Sequence, residues 1–208
     1  LNCNEDGVVY DCNDIDELAR GASVVVIGMG LGRNVKEIQA IIKHLISIKG
    51  LKVIIDADGL NALSTNVDIL REIAADVLIT PHPKEMSRLC GLQVQDVLAD
   101  PIAIAESFAR EYNVNVLLKG SSTFITDGTC GYIMTEGGSF LSKGGNGDVL
   151  SGAIAGIAAQ GAQLLASAAA ASYLCAMCGR EKGYVYGEQG VLPSDIAVSI
   201  AEIVKRNR

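Results

Sequence analysis

Four short runs of this chain each hold three or four consecutive apolar residues: "SVVVIG" at 23–28, "LKVIID" at 51–56, "DVLIT" at 76–80 and "VNVLLKG" at 114–120. A strand with one face in water alternates apolar with polar residues, whereas a strand buried on both faces does not. The stretches between the runs have helical periodicity. "VKEIQAIIKHLISIKG" places Ile38, Ile41, Ile42, Leu45 and Ile46 on one stripe and closes at Gly50, and "PIAIAESFAREYN" is a second helical pattern. Strands apolar throughout, alternating with helices, predict a parallel sheet covered on both sides. One segment departs from the pattern. "STFITDGTCGYIM" carries Asp127-Gly128 between two short β segments, the signal of a hairpin, so an antiparallel pair is expected to extend the sheet. Three further helices follow, the last expected to be capped by Ser194.

A sheet of this kind needs a large aliphatic core. The 208 residues are 49% hydrophobic with only 4% aromatic and no tryptophan, so Ala, Val, Ile and Leu must fill the interior of one domain spanning 1–208. The net charge of −7 argues against nucleic acid or an anionic membrane as partner. No signal peptide, membrane-length apolar run or internal repeat is apparent, and a cytoplasmic location is expected. Cys175 and Cys178 form a CxxC inside an alanine-rich helical pattern, but no second pair or neighbouring histidine completes a zinc site. His44 and His82 are the only histidines. Reduced thiols acting as small buried hydrophobes are the expectation.

The polar and glycine-rich segments fall in one kind of place. Residues 28–32, 56–61, 80–85 and 119–123 each begin where an apolar run ends. In an open parallel sheet those carboxyl ends share one rim, where ligands bind. "SKGGNGDVLSG" at 142–152 adds a glycine-rich turn into a helix. Gly144, Gly145, Asn146 and Gly147 would present unpaired backbone N–H groups and the positive end of a helix dipole, an anion hole. Lys119, Gly120, Ser121, Ser122 and Thr123 supply an ammonium and hydroxyls at a backbone turn, suited to nucleotide phosphate or ribose.

The carboxylates admit two readings each. Asp148 is either a helix-capping acid or a general base. The dipole favours its anion, so work as a base requires bound phosphate beside it and exclusion of water. Asp56 and Asp58, pointing the same way if extended, would suit Mg²⁺. The structural alternative has Asp58 capping the short "GLNAL" helix and Asp56 holding the loop. In "TPHPKEM", Pro83 fits a first helical turn and Glu85 can complete a capping arrangement. His82, stiffened between two prolines, is either a substrate contact or structural.

Taken in order, "VVVIGMGLG", "VIIDADGLNAL", "LITPHPKEMSRL", "VLLKGSSTFI" and "SKGGNGDVLSG" resemble the ADP/ATP-dependent NAD(P)H-hydrate dehydratases of the ribokinase-like superfamily, and "GVLPSDIAVSI" resembles the family's ending. The glycine-rich segment is shared across the superfamily; "DADGLN" joined to "TPHPKE" is more specific. The resemblance implies a three-layer α/β/α fold and the repair of the S-form of NADH and NADPH hydrates. The hydrate hydroxyl is phosphorylated by ADP or ATP, and phosphate then departs to restore the nicotinamide ring. It assigns Asp148 as catalytic base in contact with the hydrate, and Gly147 with 119–123 as nucleotide holders. His82 and Gly30 or Gly32 would contact the hydrate, and Mg²⁺ would assist phosphoryl transfer. The short "TPHPKE" form looks like that of the bacterial, ADP-using members.

Met29 stands where the family usually has proline, and only 27 residues precede Gly28, fewer than the family's N-terminal strand-and-helix portion. That portion is therefore expected to be short or missing, leaving a sheet edge that would favour a homo-oligomer. Two other functions stay open on the sequence: a superfamily kinase of a small hydroxylated vitamin precursor, using Asp148 in the same way, and a non-catalytic nucleotide-binding fragment that assembles with a second chain.

Overall fold

The computed structural model describes residues 2–4, 7–9 and 12–206. β1 (Asn2–Asn4) and β2 (Gly7–Val9) form a small antiparallel pair, followed by α1 (Cys12–Ala19). The main body then runs β3 (Val24–Ile27), α2 (Val35–Ile46), β4 (Lys52–Ile55), α3 (Ala57–Leu63), β5 (Asp76–Ile79), α4 (Pro83–Cys90), α5 (Val94–Ala99), α6 (Pro101–Tyr112) and β6 (Asn115–Leu118). It ends with β7 (Thr123–Thr126), β8 (Gly131–Met134), α7 (Asn146–Ala158), α8 (Leu164–Tyr186) and α9 (Pro193–Arg206).

Six strands make one sheet in the order β3-β4-β5-β6-β7-β8; the first four are parallel, and β7 and β8 are added antiparallel. The apolar runs thus lie where continuous hydrophobicity requires, with helices on both faces. Successive residues of a strand point to opposite faces, and the core divides accordingly. Val53, Ile55, Val77, Ile79, Val116 and Leu118 pack with α2, α3, α4 and α6. Ile54, Leu78, Leu117 and Ile125 pack with Ile154 and Ala158 of α7 and Leu164, Ala168 and Ala171 of α8. The alanines of α8 let that helix lie close to the sheet, which explains how a core with so few aromatics closes. A third cluster, Phe140, Cys175, Cys178, Val191 and Ile196, attaches α9 to the outside of α8.

The Asp127-Gly128 hairpin forms as expected, with a turn of 127–130 between β7 and β8. Ser194 is not the cap of the last helix. α9 starts at Pro193, whose fixed φ suits a first helical position, and the Asp195 carboxylate accepts from the Leu192 N–H at 2.8 Å. The CxxC thiols are free and buried. Burial pushes the Cys175 thiol up to about 12 and Cys178 to about 11, which disfavours their thiolate forms.

Candidate active site

All four parallel strands release the chain at one rim, and backbone contacts bind the releases together. After β3 the chain turns at Gly28, whose φ is +130°; a Cβ there would lie 1.8 Å from the Asp56 carbonyl oxygen, so only glycine fits. Gly59 approaches from the other side, with Gly28 Cα 3.2 Å from where its Cβ would be. These two glycines seat the start of α3 directly against the end of β3. The Lys119 N–H donates to the Pro81 carbonyl at 2.8 Å, joining the releases of β6 and β5.

The two aspartates of "DAD" take the reverse of the structural roles that spacing suggested. Asp56 is the N-cap of α3, its Oδ1 accepting from the Ala57 N–H at 2.8 Å, while Asp58 Oδ2 accepts from the Gly32 N–H at 3.0 Å and pins the glycine loop. The exchange arises because α3 begins at Ala57, two residues earlier than "GLNAL" implies. Ala57 enters that helix at φ +49°, a conformation that costs a non-glycine residue of order 1 kcal/mol and that persists only where its surroundings enforce it.

Asp56 is 2% exposed, and its charge is met. Lys119 Nζ donates to Oδ1 at 2.8 Å, and Ser151 Oγ, from the second turn of α7, donates to Oδ2 at 3.1 Å. Above this pair sits Gly147. A Cβ on it would lie 3.5 Å from Asp56 Oδ2 and 3.8 Å from Lys119 Nζ. The glycine-rich turn is itself anchored: Asn146 Nδ2 donates to the Phe140 carbonyl at 2.8 Å, and Lys143 Nζ to the carbonyls of Gln189 and Val191. Gly145, at φ +94°, opens α7 with no side-chain cap; the Asn146 N–H donates to the Lys143 carbonyl at 3.2 Å, which leaves the N–H groups of Gly147 and Asp148 for an anion.

A cleft of about 600 Å³ begins at this point. Lys119, Gly120, Ser121, Thr123, Asn146 and Gly147 line its polar end; Met134, Leu141, Leu150 and Cys175 give it an apolar end. Its size and mixed lining suit a nucleotide-sized ligand. The structure thus brings together the two segments expected to hold phosphate, on elements far apart in sequence. Ser122 is exposed on the same turn, and Gly144 is exposed ahead of α7. Asp148 is exposed in the first turn of α7, next to Gly147, and does not line the cleft.

His82, also exposed, caps α4. Its Nδ1 accepts from the Glu85 N–H at 3.1 Å, and Glu85 Oε2 accepts from the His82 N–H at 2.9 Å, a reciprocal capping box with Pro83 at the first helical position. With Nδ1 so engaged, the neutral imidazole carries its proton on Nε2. Gly30 and Gly32, at φ +68° and +81°, have open space where a Cβ would stand.

Sequence reasoning missed Asp56 as the partner of Lys119, and Ser151 altogether. Asp56 carried a signal, an acid ending an apolar strand; Ser151 carried one only in standing one helical turn beyond Gly147. A resident Mg²⁺ does not fit the protein groups present. Among the described residues no three His, Cys, Asp or Glu side chains come together, and both Asp56 oxygens are already engaged.

Parallel strands between two helical layers, with an uncapped helix N-terminus and a lysine meeting in a cleft at one rim, give an α/β protein of ribokinase-like fold. The sequence profile of the NAD(P)H-hydrate dehydratases matches residues 6–202, and the chain belongs to that family. It is 36% identical over 175 residues to the bifunctional NAD(P)H-hydrate repair enzyme Nnr of Moorella thermoacetica, covering 83% of this chain and 33% of the relative. It is 34% identical over 152 residues to the ADP-dependent (S)-NAD(P)H-hydrate dehydratase of Neisseria meningitidis, covering 72% of this chain and 51% of that protein. The chain therefore spans about a third to a half of these relatives. In fold it is similar to the ADP/ATP-dependent NAD(P)H-hydrate dehydratase of Bacillus subtilis co-crystallised with ATP and Mg²⁺. The TM-score is 0.79 at 23% identity, over 94% of this chain and 70% of that one.

Proposed function

We propose that this chain carries out the ADP- or ATP-dependent dehydration of the S-form of NADH and NADPH hydrates, restoring the reduced nicotinamide. The observation that carries the reading is the meeting of the Lys119 turn with the first turn of α7, Gly147 lying beside the Lys119 ammonium at the polar end of the cleft. Within this family, that is where a nucleotide's terminal phosphates would lie. Backbone N–H groups of Gly144, Gly145 and Gly147, the helix dipole and Lys119 would hold them, with Gly120, Ser121, Ser122 and Thr123 along the remainder of the nucleotide.

Asp148, at the exposed mouth beside Gly147, takes the proton from the hydrate hydroxyl as that oxygen attacks the terminal phosphorus. The bond to the nucleotide's leaving oxygen breaks, and AMP departs when ADP is the donor. Inorganic phosphate then leaves the ring carbon with loss of a ring proton, closing the double bond; hydroxide would be a far poorer leaving group. His82, whose Nε2 lies 3.4 Å from Glu85 Oε1, and the loop of Gly30 and Gly32, where the Gly32 N–H is already given to Asp58, would contact the hydrate at the same rim. Magnesium belongs to this scheme as an ion carried on the nucleotide's phosphate oxygens, and no step depends on a protein-held metal. A cytoplasmic, homo-oligomeric enzyme is the accompanying expectation; no helix among the described residues is long and apolar enough to cross a membrane.

The test is direct. Incubation of the protein with ADP or ATP and NADH hydrate should restore absorbance at the reduced-nicotinamide wavelength. No recovery, together with stable phosphorylation of a small alcohol, would transfer the site to a vitamin-precursor kinase.

A further inference from the structure

We propose that Asp56 is a positioning residue that acts through Lys119: it fixes the ammonium beneath the first turn of α7, and Ser151 fixes the carboxylate. The role in turnover rests on the dehydratase reading; the effect on nucleotide affinity does not.

Three observations converge. Asp56 is 2% exposed, yet its carboxylate is held from three directions, by the Ala57 N–H, Lys119 Nζ and Ser151 Oγ, on three different elements or their ends. Such a carboxylate has one orientation. Lys119, whose side chain is 25% exposed, donates one of its three N–H bonds to it, leaving two for a ligand in the cleft it lines. The backbone also conforms to this arrangement: Ala57 sits at φ +49° immediately after Asp56, and Gly147 packs within van der Waals range of the ion pair. Stability alone is a poor reason for such a pair, because a well-packed apolar substitute is commonly as stable. A lysine ordered in advance at a phosphate site, by contrast, loses no further rotamer freedom when charge develops on the transferring group.

The pair also makes a counterintuitive demand. The Asp56 charge cancels that of Lys119, so the empty site presents little net positive charge to a polyanion. Asp56→Asn unmasks the ammonium and releases it from its fixed position. Ground-state binding of ADP should tighten while turnover falls. A purely structural aspartate would give the opposite pattern, with affinity and turnover declining together.

The experiment measures ADP affinity by calorimetry and kcat with NADH hydrate in the full chain and in Asp56→Asn, Ser151→Ala, Lys119→Ala and the Asp56→Asn/Lys119→Ala pair, with melting curves to confirm folding. Asp56→Asn should bind ADP at least threefold tighter and turn over at least tenfold more slowly. In the Lys119→Ala background the same change should move neither quantity more than twofold. Smaller effects of Asp56→Asn, weakened ADP binding, or effects that persist without Lys119 overturn the proposal. Should Asp56→Asn fail to fold, Ser151→Ala decides: kcat at least threefold lower with undiminished ADP affinity supports it, and unchanged kcat overturns it. If the unmodified protein shows no hydrate turnover, the dehydratase reading fails on its own, and the ADP-affinity cycle still judges Asp56.

Discussion

Asp148 stands in the first turn of α7 and is exposed, so water competes for its carboxylate until phosphate occupies that turn and a second substrate covers the rim. Asp148→Asn keeps the shape and the helix start while removing the proton acceptor. Turnover should fall by at least three orders of magnitude with ADP affinity changed no more than a few fold, checked by single-turnover kinetics and calorimetry. Retained turnover would take the base away from Asp148. His82 differs in kind. Its Nδ1 is spent on the Glu85 N–H and its Nε2 lies 3.4 Å from Glu85 Oε1, so both ring nitrogens face the residue with which it forms the capping box. Of the two readings the sequence left open for His82, the capping role is the one these contacts show; contact with the hydrate stays a proposal.

At the scale of elements, the turn of the β7–β8 hairpin gathers several of its donors on one acid. Asp127 Oδ1 accepts from the Cys130 N–H at 2.9 Å, the Thr129 N–H at 2.7 Å and the Thr129 hydroxyl at 2.8 Å. The Cys130 N–H, followed by the two Thr129 donors, lowers its carboxyl to about 2. A carboxyl depressed in the folded state stabilises above its unfolded value and loses that contribution as pH falls through the folded one. The hairpin's tie is therefore full above about pH 4 and lost towards pH 2. Asp127→Asn should cost about 1 kcal/mol at neutral pH, discounted for partial exposure, and nothing below pH 2, as read by denaturant melts at the two pH values. β7 carries Thr123 of the cleft and β8 carries Met134, so this turn supports the nucleotide side of the site from the far end of its strands.

For the molecule as a whole, the cleft is assembled from β6, β7, β8, α7 and α8, segments separated by long stretches of chain. A ligand that bridges them must stabilise the fold by mass action. ADP at a hundred times its dissociation constant should add about 2.7 kcal/mol, which for a domain of this size is a rise in Tm of roughly 5–10 °C. Scanning calorimetry with and without ADP checks this, and an unmoved Tm would argue against the cleft as the nucleotide site.

The sequence determined the layers and the rim. Unbroken apolar runs such as "KVII" and "DVLI" can be buried only from both sides, and the polar residue ending each run marks where the backbone leaves the sheet; Gly28, His82 and Lys119 were legible for that reason. The start of α3 and the start of α9 were not, because local cap signals at Asp58 and Ser194 compete with neighbours a residue or two away. Tertiary contacts (Gly28 against Asp56, Pro193 against Gly145) accompany the starts the chain adopts. Tertiary structure alone decided that Asp56, Lys119 and Ser151 meet. Ionic and hydroxyl partners up to 95 residues apart leave no periodic trace in a sequence, since their pairing depends on where helices and strands come to rest in space.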